Sequence, residues 1–87
     1  MAFKFNTAKA RILVIVNQIP YPNRYSRFLA HKLGYTYDYV NKALQDMVFS
    51  GIVRREKHGQ KAFIVIKQPL MVAKAKEYLL EASKPKK

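Results

Sequence analysis

The sequence predicts an α+β domain, mostly helical, with three helices, a β-hairpin and a C-terminal helix in that order. Three observations predict it. Apolar residues recur at helical spacing as far as Ser50. After Gly51 the period falls to 2 over two short runs, and behind Pro69 it returns to 3.6. The three glycines, Gly34, Gly51 and Gly59, each fall at a boundary between such segments.

In the first segment, Asn6 to Ile19, residues Ala8, Ile12, Ile15, Val16 and Ile19 line one helical face. Asn6 and Thr7 are suitable caps, and Pro20 stops the helix. The β-branched run Ile12 to Val16 also fits a buried strand, but the length and the caps favour a helix. Its other side carries Ala10, Leu13 and Val14, more apolar surface than one small core needs, which points to a partner. Ile19 to Asn23, with two prolines, reads as a turn, and Asn23 or Ser26 caps a second helix with Tyr25, Phe28, Leu29 and Leu33 inward. Gly34 breaks that helix. Thr36 caps a third, from Tyr37 to about Ser50, with Val40, Ala43, Leu44, Met47 and Val48 inward. Phe49 faces away from the Val40 side, which suits packing on a neighbouring element or an interface.

The period-2 runs, Ile52 to Lys57 and Gln60 to Lys67, predict a hairpin turning at His58-Gly59, where Gly59 supplies the positive φ of a tight turn. Gln68-Pro69 opens the fourth helix, with Met71, Val72, Ala75, Tyr78, Leu79 and Ala82 as its apolar stripe. Residues 1–83 are expected to form a single domain, and 84–87 a frayed basic tail.

Composition narrows the function. Seventeen Lys and Arg against 5 Asp and Glu give a formal charge of +12, and hydrophobic residues make up 49%, so a folded, strongly basic domain is expected. Such a surface attracts polyanions, nucleic acid first and an anionic membrane surface second. The absence of cysteine argues against a disulfide-stapled secreted protein and for a cytoplasmic, nucleoid-associated location. No export signal is visible, and the longest apolar run, Ile12 to Val16, is far short of the roughly 20 residues a membrane span needs, so no membrane partner is expected.

The segment from Phe28 to Leu44 sharpens the reading. Leu29, Ala30, two polar residues, Leu33, Gly34, Tyr35, the capping Thr36, three variable residues, Val40 and Leu44 follow the pattern of a helix-turn-helix. With Gly51-Ile52-Val53-Arg54-Arg55 leading into a basic hairpin, the chain resembles the winged helix-turn-helix family over roughly Tyr25 to Lys67. Small archaeal and viral regulators and the MarR, ArsR and PadR-like regulators share that layout.

The resemblance implies that the third helix enters a major groove, with Thr36, Tyr37, Asp38, Tyr39, Asn41, Lys42 and Gln45 at the DNA. Asn41 and Gln45 suit adenine, Lys42 guanine or phosphate, and Asp38 the cytosine amino group. The wing would bring Arg54, Arg55, Lys57, His58, Gln60 and Lys61 to the backbone or minor groove, and Arg24, Arg27 and Lys32 would add phosphate contacts. One departure is that the segment 38–51 carries net charge −1, through Asp38 and Asp46 against Lys42. Plain alternatives are a solvated helix face and an edge hairpin kept soluble by its lysines.

Nothing in the sequence points to catalysis. Asp38 and Asp46 are roughly 12 Å apart along one helix, too far for a two-metal pair, and His31 and His58 have no companion ligands. No enzyme activity, metal or cofactor is expected. A homodimer is, through Leu13 and Val14 with Met71, Tyr78 and Leu79, because two recognition helices would read a pseudo-palindromic site. The function expected is a double-stranded DNA-binding transcriptional regulator. The alternatives are an RNA-binding, ribosome-associated winged helix and an assembly module in plasmid partition or replication.

Overall fold

α1 (Thr7–Gln18) begins where the Asn6 side chain accepts a hydrogen bond from the Lys9 backbone N–H at 2.8 Å, the cap expected for it. It is the first element of a computed structural model that describes residues 3–83, so the basic tail expected at 84–87 lies outside the described residues. A short 3₁₀ turn, Tyr21–Asn23, leads to α2 (Ser26–Leu33) and α3 (Tyr37–Phe49), then β1 (Val53–His58), β2 (Lys61–Ile66) and α4 (Pro69–Ser83).

The apolar surplus of α1 is used within the chain. α4 folds back along α1, and Ala10, Ile12, Leu13 and Val16 are wholly buried together with Val72 and Ala75. This corrects the expectation that Leu13 belongs to a dimer interface: it offers no surface to a partner. Val14, Met71 and Leu79 are half-buried against the same core, and Tyr78 lies against Phe5, with ring centroids 6.1 Å apart. Removing one Leu-sized side chain from water is worth about 1.5–3 kcal/mol, so an 87-residue chain gains much by closing this face on itself.

α2 packs on α3 through the Gly34 turn. Gly34 takes φ +75°, the left-handed conformation that ends a helix without a Cβ clash, and its N–H bonds back to Ala30. The start of α2 differs from expectation. Its cap position is Tyr25, with no side-chain cap bond, and Ser26 is buried with its hydroxyl turned to α3. Thr36 caps α3 as expected, its hydroxyl accepting from the Tyr39 N–H at 3.2 Å. Val40, Ala43, Leu44 and Met47 point inward, whereas Val48 is exposed. Eight residues past Val40 it has rotated about 80° around the helix, to the edge of the buried stripe.

β1 and β2 pair antiparallel from Val53↔Ile66 to His58↔Lys61. The turn is therefore Gly59-Gln60, one residue later than expected, and His58 closes the ladder instead of turning. Gly59 has φ +65° and Gln60 has a negative φ, the order of a type II′ turn, which wants glycine at its first central position. The outer edge of β2 is covered: the Ile64 N–H donates to the Arg24 carbonyl at 2.8 Å and Tyr25 bridges Phe63. Ile52, Val53 and Ile64 anchor the hairpin in the helical core.

Candidate nucleic-acid interface

The first turn of α2, the outward side of α3 and the hairpin meet at Asn41. Its side-chain oxygen accepts from the Ser26 hydroxyl at 2.6 Å and from the Arg55 guanidinium at 3.0 Å. Reading adenine takes both ends of an asparagine amide, the oxygen for the base amino group and the nitrogen for N7. Here the oxygen is committed, so Asn41 ties α2, α3 and β1 together and lacks its half of that bidentate pair. Nothing local marks the triad, because the bonds span fifteen and fourteen residues.

Asp38, Lys42 and Gln45 are exposed and, with Tyr39 and Asn41, line a shallow cleft of about 530 Å³ on α3. Asp46 does not share this face as a free charge, because Lys9 of α1 pairs with it at 2.9 Å. The acidic departure noted in the sequence is thereby reduced to Asp38. That residue sits in the first turn of α3, where the helix dipole favours a carboxylate.

A second cleft, of about 190 Å³, lies between α2 and the hairpin and is lined by Tyr25, Ser26, Arg27, Tyr37, Arg55, Gln60, Lys61 and Ala62. The Arg27 guanidinium stands 5.6 Å over the Tyr37 ring and the Lys61 ammonium 4.3 Å over the Tyr25 ring. Rings that take a cation this way fix its position at little electrostatic cost. Of the other expected phosphate contacts, Arg24 is half-buried and donates to the Ile19 carbonyl at 3.0 Å, so it braces the proline turn. Lys32, in the last turn of α2, is exposed and does not line this cleft.

The hairpin's register puts Arg54, Glu56 and His58 on one face and Val53, Arg55 and Lys57 on the other. On the first, Arg54 pairs with Glu56 at 2.8 Å, the Tyr21 hydroxyl donates to the Glu56 carboxylate, and the His58 ring lies 3.4 Å from it. Tyr21 also stacks on Phe63, with centroids 5.2 Å apart. Arg54 is thus compensated within the hairpin, while Lys57 is exposed without an ion pair among the described residues.

The Tyr21 hydroxyl, then His58 and Arg54, hold the Glu56 carboxyl below its ordinary range, and hydrogen bonding to that carboxylate raises the Tyr21 hydroxyl. A carboxyl lowered by folding adds stability above its unfolded pKa and loses that contribution as pH falls through the folded value. The loss therefore falls below the usual glutamate range. Replacing Tyr21 with phenylalanine is expected to move the Glu56 midpoint upward, toward the ordinary value. Carbon NMR of the Glu56 carboxyl across an acid titration measures it; an unchanged midpoint refutes the Tyr21 contribution.

No family model and no curated protein matches the sequence. Solved structures do match. A crystal structure of the adhesin competence repressor AdcR from Streptococcus pyogenes superposes with a TM-score of 0.73 at 15% sequence identity. The match covers 91% of this chain and 60% of that one. Helices α2 and α3 joined at Gly34, the hairpin behind them, α4 packed on α1 and this superposition together give the chain the winged helix-turn-helix fold.

Proposed function

We propose that the chain is a double-stranded DNA-binding protein, a transcriptional regulator that acts by occupying an operator. In this reading α3 enters the major groove with Lys42, Gln45 and Asp38 at base edges, while Arg55, Lys57, Gln60 and Lys61 of the wing lie on the backbone or in the minor groove. The observation that carries it is the continuity of the surface. Asn41 lines the α3 cleft and binds Arg55 of the neighbouring one, so a groove-sized helix face and a cationic cleft adjoin in a chain of charge +12. The regulator reading is supported by the likeness to a protein named as a repressor, of which the chain spans 60% of the length.

The homodimer belongs to the same proposal, since two copies would present two recognition helices to half-sites one helical turn apart. With Leu13 inside the core, the apolar surface for it lies farther along α4. Leu80 is 65% exposed there and, with Leu79, Ala82, Ser83, Lys76, Thr7 and Arg11, lines an open groove of about 580 Å³ between α4 and α1. Tyr78 is partly exposed on the same helix.

The test is fluorescence anisotropy on random duplex DNA, the DNA upstream of its own gene and a structured RNA, over a salt series. The upstream duplex is expected to bind tightest, and random duplex more weakly with a steeper salt dependence. Equal affinity for all three refutes operator binding and leaves a charge-driven polyanion binder; preference for the RNA favours a ribosome-associated role. Sedimentation equilibrium of the free chain is expected to give a dimer, and a monomer at micromolar concentration removes that part of the proposal.

A further inference from the structure

Three cations, Arg27, Arg55 and Lys61, line the cleft between α2 and the wing, and none has a carboxylate partner among the described residues. Lys9 and Arg54, by contrast, are paired, with Asp46 and Glu56 respectively. The three are nonetheless held in place, each by an uncharged group. Arg27 rests on Tyr37, Lys61 on Tyr25, and Arg55 on the Asn41 oxygen. Asn41 is fixed in turn by Ser26, whose side chain is buried.

Like charges gathered around one cleft raise each other's energy, and water compensates them only in part. An arrangement that fixes them without neutralising them leaves the neutralising to something that enters. The volume, about 190 Å³, leaves room for a tetrahedral anion. Two guanidinium forks offer paired donors matched to two oxygens of one anion, and Lys61 and the Gln60 amide add single donors.

We propose that this cleft seats a single phosphate group, and that Asn41 is a positioning residue that holds Arg55 toward it. The proposal rests on the nucleic-acid reading where the phosphate belongs to a DNA backbone; a free phosphate offers the same chemistry, and the experiment separates the two sources. Held this way, Arg55 couples α3 to the wing: a phosphate bound in the cleft sets the depth and angle at which Lys42 and Gln45 meet the groove.

The test is a ¹H–¹⁵N NMR titration of the full chain, first with inorganic phosphate and then with random duplex DNA, on the native protein and on Asn41→Ala, Arg55→Ala and Arg55→Lys. Phosphate is expected to shift the side-chain signals of Arg27 and Arg55 and the amides of Gln60 and Lys61. Arg55→Ala should abolish that response. Asn41→Ala and Arg55→Lys should each weaken it about tenfold, the second because it keeps the charge but loses the fork. The same spectra report whether each variant is folded, and Arg55→Lys, at an exposed site, keeps the test open if Asn41→Ala is not.

Duplex binding without any response in the cleft overturns the phosphate seat and leaves DNA binding standing. Phosphate in the cleft without duplex binding overturns the DNA reading and assigns the seat to a free phosphate. A folded Asn41→Ala protein, or an Arg55→Lys protein, that binds phosphate as the native one does overturns the positioning role.

Discussion

Replacing Leu13 with alanine is expected to lower stability by about 2–5 kcal/mol. The side chain is wholly buried in the core that α1 shares with α4, so its removal forfeits both the transfer of three carbons from water and the packing around them. At roughly 0.05–0.15 kcal/mol per residue, 87 residues give about 4–13 kcal/mol in all, so one truncation takes a large share. At the lower figure the thermal midpoint should fall by about 8 °C or more. Thermal unfolding followed by circular dichroism at two widely separated protein concentrations decides where Leu13 acts. A loss that is the same at both places it in the monomer's core. A loss that changes with dilution would place it between subunits, and one below about 1 kcal/mol would contradict its burial.

That substitution also locates where the sequence runs out as a guide. Period and caps made the helices and hairpin legible: Asn6 and Thr36 cap where they should, Gly34 turns left-handed, and the stripe Val40, Ala43, Leu44 and Met47 faces inward. The pattern on α1 shows two apolar sides but carries no information on what covers the second, since a partner subunit and the chain's own α4 ask the same residues of it. The turn slipped by one for a related reason. A glycine with positive φ fits either central position of a tight turn, and only the ladder His58↔Lys61 chooses.

The site was legible by residue type and not by role. Ser26 and Asn41 are respectively a common cap and a common base reader; Ser26 is not the cap of α2, and its hydroxyl donates instead to the Asn41 oxygen at 2.6 Å. Arg24 offered the sequence a surface cation, yet the fold spends it on the Ile19 carbonyl. These are contacts between distant parts of the chain, and helical spacing encodes none of them.

Replacing Lys42 or Gln45 with alanine is expected to cost about 1–3 kcal/mol on the preferred duplex, a loss of roughly 5- to 150-fold, and much less on random duplex. Both side chains are exposed on α3 with no partner among the described residues, so they are free to meet base edges. Lys57, exposed on the wing without an ion pair among the described residues, should behave differently: Lys57→Ala weakens every duplex alike and lowers the salt slope by about one. Asp38 supplies the sign control. As the carboxylate of α3 with no ion pair among the described residues it repels phosphates, so Asp38→Asn should raise affinity for random duplex while relaxing any preference for cytosine at its position. Competition anisotropy with a panel of single-base operator variants separates these outcomes. If Lys42, Gln45 and Lys57 lose affinity equally on every sequence, the α3 face contributes contacts that do not read bases, and selectivity between sites has to come from DNA shape.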